Sequence, residues 1–256
     1  MTATMSARPS LFVATPCFGG QVTTAYANSM LKLQTACRAQ SVDFEWLMLG
    51  GDALITRARA DLVAHFLDRA GTTHLLFIDA DIGFEPAQVF RLLAFDADVT
   101  AGVYPAKRID WQRVRDVLAA GLPAPQSTAL DYVFEVEDPM RVVARNGFVK
   151  ARYAGTGFLL IRRPALTALC QAHPELQYRR TSATTDPLGN SAHRYALWDT
   201  MIDPVSGIYL SEDYAFCRRW SELGGELWID MESKLTHVGP IAFPGDFATQ
   251  FRQSAA

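Results

Sequence analysis

Across about the first hundred residues, short apolar runs alternate with amphipathic stretches, and few folds accept that alternation. "SLFVATP" is an apolar run stopped by a proline and reads as a buried strand. "VTTAYANSMLKLQTACRAQ" places Ala27, Met30 and Leu31 at helical spacing, with Thr23 or Thr24 as cap. "DFEWLMLG" alternates and then turns apolar, which suits a second strand. "ITRARADLVAHFLDRAG" is an amphipathic helix with Ile55, Ala58, Leu62 and Phe66 on one face and Gly71 where a C-cap belongs. "HLLFIDADI" reads as a third strand and "EPAQVFRLLAFD" as a third helix with Pro86 in its first turn. "ADVTAGVYP" reads as a fourth strand. The order implies an α/β fold, a mostly parallel sheet with helices on both faces. Ligands of such sheets bind beyond the carboxyl ends of the strands.

The second half has a different pattern. "DYVFEVE" and "MRVVARNGFVKARYAGTGFLLIRR" alternate in places, and Asn146-Gly147 is a strong hairpin signal. "PALTALCQAHPEL" reads as a short helix. Residues 179–208 are rich in turn formers and read as a loop with a hairpin in "YALWDTMIDPVSGIYL". "SEDYAFCRRWSELGG" is a helix with Ser211 as N-cap, closed by Gly224 or Gly225. "ELWIDMESKLTHVG" suggests a final strand pair, and the tail "QSAA" is expected to fray.

Composition narrows the function classes. With 49% hydrophobic and 20% charged residues over 256 positions, the chain can bury a sizeable core. Its net charge of −3 gives no basic field, which argues against nucleic acid as the main partner. The four cysteines are scattered without a CxxC pair. No run resembles a signal peptide or approaches the ~18 apolar residues of a membrane span. The expectation is a cytoplasmic protein with reduced thiols, with peripheral association at the inner face of a membrane left open.

"LLFIDADIGF" carries the first chemistry. A buried strand delivers Asp79 and Asp81, one residue apart, to the edge where such sheets bind ligands. Two carboxylates there suit a hard cation, Mn²⁺ or Mg²⁺, that shares phosphate oxygens; the bland alternative is a solvated turn. Arg57 and Arg59, one helix earlier, offer a guanidinium for a diphosphate. Arg57 is the preferred candidate because it lies nearer the helix start; the alternative has it paired with Asp61 on the helix surface. Gly155-Thr156-Gly157 lets backbone approach a ligand and offers a hydroxyl, or else marks a β-bulge. Glu212-Asp213 is a second acidic pair, at a helix N-terminus where it also complements the dipole. Trp198, inside a polar loop, reads as an exposed platform on which a sugar ring stacks.

Taken together, "LFVATP", "ITRARADLVAHFL" followed by "LLFIDADIGF", "AGTGFLLIRR", and "LSEDYAFCRRW" with "KLTHVG" behind it resemble the GT-A fold glycosyltransferases. The likeness extends to family-two-like and mannan-polymerase-type enzymes alike. It implies a single domain, 1–256, with a nucleotide-binding half (1–110) and an acceptor-binding half (111–256). The open twisted parallel sheet would carry a smaller antiparallel acceptor-side sheet in the C-terminal half. The implied activity is metal-dependent transfer of a hexose from a UDP- or GDP-linked donor to a hydroxyl of a glycan or lipid-linked acceptor. On this likeness Thr15, Pro16 and Cys17 border the base or ribose, although Cys17-Phe18-Gly19-Gly20 stands where relatives carry Tyr-Asn. Asp79 would face ribose or sugar, Asp81 would ligate the metal with His237 as a further ligand, and Gly155–Gly157 would lie beneath the donor sugar. Asp213 would be the general base and Glu212 would orient hydroxyls; in a retaining enzyme this acid would have another role. Two alternatives stand beside it: a nucleotidyltransferase, although "TPCFGGQVTTAY" lacks a basic residue, and a non-catalytic nucleotide- or sugar-binding module.

Overall fold

The computed structural model describes residues 9–122, 124–181 and 191–251. The expected fraying tail, and the part of the 179–208 loop spanning 182–190, lie outside the described residues.

In the first half the alternation becomes β1 (Ser10–Cys17), α1 (Thr24–Ala39), β2 (Asp43–Gly50), α2 (Ile55–Leu67), β3 (His74–Ile78), a two-residue β4 (Ile82–Gly83), α3 (Pro86–Phe95) and β5 (Val99–Gly102). There follow α4 (Trp111–Ala119), α5 (Pro125–Thr128), β6 (Phe134–Glu135), β7 (Ala144–Arg145), β8 (Phe148–Ala151), β9 (Tyr153–Ala154) and β10 (Phe158–Arg162). The chain ends through α6 (Arg163–Ala172), β11 (Met201–Ile202), β12 (Tyr209–Leu210), α7 (Glu212–Glu222), β13 (Leu227–Asp230), β14 (Thr236–Val238) and β15 (Ala242–Pro244).

Eight strands form one sheet in the order β2-β1-β3-β10-β5-β13-β8-β7. β1 pairs in parallel with β2 and β3, and β13 with β5. β10 and β8 run against their neighbours, and the rest share one direction. The fold is therefore the α/β class expected, an open, mostly parallel sheet with small antiparallel sheets beside it. Two placements differ from expectation. β10 inserts antiparallel between β3 and β5, which are consecutive main-sheet strands in the chain. β13 and β14 do not pair; β13 sits inside the main sheet while β14 lies between β4 and β15 in a separate three-stranded sheet.

The two faces of the sheet are covered by two apolar clusters. One holds Phe12, Leu62, Phe66 and Phe77 with Leu166, Trp198 and Phe216. The other holds Leu11, Val13, Tyr26 and Met30 with Leu76, Ile78 and Phe158. The strands β1 and β3 are buried on both sides, which is why their sequences are unbroken apolar runs. On α1 the buried stripe is Tyr26, Ser29, Met30, Leu33 and Cys37, so Leu31 faces outward. Thr23 caps this helix, its hydroxyl accepting from the Tyr26 amide at 3.3 Å. Asn146 and Gly147 both take positive φ, 50° and 81°, and close the β7–β8 hairpin as the twist of its strands requires.

Candidate active site

A cleft of about 590 Å³ opens beyond the carboxyl ends of β1 and β3. The turn after β1 contributes Phe18, Gln21, Val22 and Thr23, and the start of α2 contributes Ile55 and Arg59. Asp79 and Asp81 come from the end of β3, Glu212 and Asp213 from the first turn of α7, and His237 from β14. Lys107 enters from the segment after β5.

The acidic segment is fixed by its backbone. The Asp79 amide donates to Gly157 O at 3.0 Å, the Thr23 amide to Ala80 O at 2.9 Å and the Val238 amide to Asp81 O at 2.8 Å. Three different elements thus hold three consecutive residues, and neither carboxylate is needed to keep the turn in place.

Arg59 is 2% exposed and lies between the two acidic pairs. Its Nη2 stands 3.3 Å from Asp79 Oδ1 and 3.7 Å from Asp213 Oδ1, with the guanidinium above the Phe77 ring. Burial works against its charge, and Asp79 and Asp213 outweigh burial, so its pKa stands above the ordinary arginine value. For Asp79 burial wins: its carboxyl titrates above the usual range despite Arg59. Glu212 is raised likewise, by burial and then by Asp213 beside it. Burial also opposes the charge of Asp81, but His237 and Lys107 outweigh it and lower its pKa.

The His237 ring is oriented by its backbone contact. Nδ1 meets Pro105 O at 2.8 Å, and a carbonyl can only accept, so Nδ1 carries the proton. Nε2 then faces Asp81 Oδ1 at 3.3 Å, with a lone pair turned to a carboxylate when the ring is neutral. Asp79 Oδ1, Asp81 Oδ1 and Asp213 Oδ1 are all buried without a hydrogen-bond donor. Each already faces a basic side chain, Arg59 or His237, without a formed hydrogen bond, so its lone pairs could also serve a cation. A histidine that donates its second nitrogen to a carbonyl is also how metal-ligating imidazoles are held. Among the described residues, no three His, Cys, Asp or Glu side chains form a group that could hold a metal alone. A cation at Asp81 and His237 would therefore share its remaining positions with substrate oxygens or water, as hard divalent ions do.

Several expected site residues occupy other places. Arg57 is outside the cleft: Asp52 takes its Nε and Nη2, each at 2.8 Å, so the guanidinium in the cleft is Arg59. Asp61, the expected surface partner of Arg57, is buried and held by Arg180 and Arg194. Trp198 is 0% exposed, which overturns the exposed platform. Its ring stacks on Phe216 at 4.3 Å, and its Nε1 donates to Thr156 Oγ1 at 3.0 Å. The Thr156 hydroxyl is thereby turned into the core and away from any sugar. Thr15 is buried against the Tyr26 hydroxyl, whereas Pro16 and Cys17 do line the cleft.

Gly155 and Gly157 act through Tyr104. A Cβ on Gly155 would fall 2.0 Å from Tyr104 Oη, and one on Gly157 would fall 2.8 Å from Tyr104 Cζ and 2.9 Å from Asp79 Oδ2. The phenol is laid across both glycines, accepts the Gly157 amide at 3.2 Å, and meets the His237 ring edge-on at 5.2 Å. Gly155→Ala is expected to displace this ring and to destabilise the fold by about 2 kcal/mol, lowering Tm by roughly 4–8 °C. A thermal melt checks it; an unchanged melting temperature would show that the ring has room to move.

Lys107, Phe18 and Tyr104 were not legible as site residues, and no motif marks them. Lys107 and Tyr104 do share one signal, their position just after a strand of the sheet. Phe18 follows β1 directly, lines the cleft and is 75% exposed.

No protein-family model matches the chain, and no curated protein matches it. Among solved structures it is similar to A197 from STIV, at 15% identity and a TM-score of 0.46 over 90% of this chain and 86% of that one. It is similar to a glycosyltransferase involved in the glycosylation of the major capsid of PBCV-1, at 10% identity and a TM-score of 0.33 over 65% and 68% of the two chains. A third similar structure is a Bacillus anthracis protein described as a glucose-1-phosphate thymidylyltransferase, at 12% identity and a TM-score of 0.41 over 89% of each chain.

Proposed function

We propose that the chain is a metal-dependent glycosyltransferase of the hexosyltransferase type, taking its sugar from a UDP- or GDP-linked donor. The observation that carries this reading is the pairing of Asp81 with His237 at 3.3 Å, beside Arg59 and a second acidic pair, in a cleft at the carboxyl edge of the sheet. Four acidic side chains face two basic ones there, so a diphosphate needs a cation beside it. Asp81 and His237 would hold Mn²⁺ or Mg²⁺. When bound, that ion supplies Lewis-acid stabilisation of the diphosphate charge. The exposed Phe18 ring with Val22 and Ile55 offers an apolar wall for the base.

In a single displacement the acceptor hydroxyl oxygen attacks the anomeric carbon while the bond from that carbon to the diphosphate oxygen breaks. The bonding pair leaves on the diphosphate, and the hydroxyl proton passes to Asp213. Asp213 suits this task by position: it lines the cleft from the first turn of α7, and its Oδ1 is buried without a hydrogen-bond donor, 3.7 Å from Arg59 Nη2. Glu212, with its raised pKa, retains a proton further up the pH scale and can donate a hydrogen bond to a sugar hydroxyl. The acceptor is read as a glycan or lipid-linked hydroxyl. Among the described residues no helix is long and apolar enough to cross a membrane.

The test is a thermal-shift panel of UDP, GDP, CDP and their sugar conjugates, with Mn²⁺ and with chelator. A ligand at ~100 times its Kd raises native-state stability by about 2.7 kcal/mol, which such a panel resolves. A metal-dependent shift with one nucleoside diphosphate is the expected result. A shift with nucleoside triphosphates alone would transfer the site to nucleotidyl transfer, and silence throughout would remove the donor assignment.

A further inference from the structure

Lys107 is the one lysine lining the cleft, and its placement is built rather than incidental. The preceding backbone is pinned to a neighbouring strand-like segment: Pro105 bridges Tyr132, the Ala106 amide donates to Asp131 O at 2.8 Å, and the Val133 amide donates to Tyr104 O at 3.1 Å. The next cation, Arg108, is taken by Asp131, as is Arg113. Lys107 alone of the three turns inward, its stem against Gly239, where a Cβ would meet Lys107 Cδ at 3.1 Å. Its ammonium ends on Asp81 Oδ2, while the other oxygen of the same carboxylate faces His237.

One carboxylate is thus shared by a lysine and by the imidazole read above as its partner at a cation. An ammonium on Asp81 competes with a divalent ion for that carboxylate, because both are attracted by the same charge. A lysine, unlike arginine, is a point charge on a flexible stem and can swing away without losing a fitted two-point geometry. Freed from Asp81, it stands in a cleft whose acids Asp79 and Asp213 already face Arg59. The incoming anion is its remaining partner.

We infer that Lys107 is a placeholder cation that pairs with Asp81 and transfers to the donor diphosphate when a divalent ion takes its place. The inference rests on the proposed donor reading and deepens it. Lys107 then neutralises Asp81 before binding and the departing diphosphate during transfer.

This exchange has a signature that a structural lysine would not produce: metal and nucleotide affinities move in opposite directions. In Lys107→Met, Mn²⁺ binding without nucleotide, followed by electron paramagnetic resonance of the free ion, is expected to tighten by about three- to tenfold, as one exposed or half-buried ion pair no longer competes. Nucleoside diphosphate binding at saturating Mn²⁺, measured by calorimetry, is expected to weaken by about tenfold or more through loss of one charge-assisted contact. Lys107→Arg should recover most of the nucleotide affinity. Melting of the apo variants controls for folding. Parallel losses of both affinities, or no change in either, would overturn the exchange while leaving the donor reading intact. If wild-type protein with Mn²⁺ binds no nucleoside diphosphate, the donor reading fails and the exchange fails with it.

Discussion

Asp81→Ala is expected to fold like the wild type and to lose metal-dependent nucleoside diphosphate binding by about 100-fold or more, with transfer activity lost in step. Folding should survive because the turn is held by backbone: the Val238 amide on Asp81 O and the Thr23 amide on Ala80 O are untouched by the change. What disappears is the carboxylate on which His237 and Lys107 converge. The pH dependence follows from the direction of its shift. The pKa of Asp81 is lowered in the folded protein, so its contribution to stability is present above the ordinary carboxylate range and is lost as pH falls through the folded value. The small stability gap between variant and wild type should therefore exist at neutral pH and close in acid below about pH 4. Calorimetric titration with Mn²⁺ and with chelator checks the main effect. A variant that still binds nucleotide in a metal-dependent way would remove Asp81 from the cation site.

The local physics of the chain was readable, and the long-range pairing was not. Period-two and period-3.6 patterns mark most of the strands and helices, because each element must bury one face or both, but no helix is read where α4 and α5 stand. Nothing local says which strands become neighbours. "FLLIR" is an apolar run that would suit any central strand, and its antiparallel insertion between β3 and β5 is a property of the whole sheet. The same holds for β13 and β14, adjacent in sequence yet placed in different sheets. Trp198 reads as exposed because the loop around it is rich in polar and turn residues, while its ring partners, Phe77 and Phe216, come from distant elements.

Of the two candidate arginines, Arg57 and Arg59, a readable signal favours Arg59. It stands four residues after Ile55 and three before Leu62, on the apolar stripe of α2, whereas Arg57 lies off that stripe. The preference for Arg57 rests on its place nearer the helix start, which does not tell which helix face is buried. An arginine on an apolar helical face one helix upstream of an acidic strand end is an ion pair awaiting its partner, and the partners here are the two acids already singled out.

From that arrangement comes the largest expected stability effect. Arg59→Met keeps the length and apolar stem of the side chain and removes the charge. Asp79 and Asp213, whose side chains are 28% and 16% exposed, would then face each other across a nearly dry site without a cation. Removing one partner of a fully buried ion pair costs about 3–5 kcal/mol; with these carboxylates partly in water, about 3 kcal/mol is expected at neutral pH. The sign of the pH dependence is fixed by Asp79. Burial raises its pKa in the fold, so the stability it contributes is fully present below the unfolded value near 3.9 and is lost as pH rises through the folded value. Arg59 lowers that pKa, and taking it away raises the value further. The deficit of the variant should accordingly be small near pH 3.5, grow as pH rises through the folded pKa of Asp79, and level off above it. Urea midpoints at pH 3.5 and pH 7.5 measure it. Equal midpoints for variant and wild type at pH 7.5 would mean that the acids are solvated well enough without Arg59, and that this arginine is in the cleft for its ligand alone.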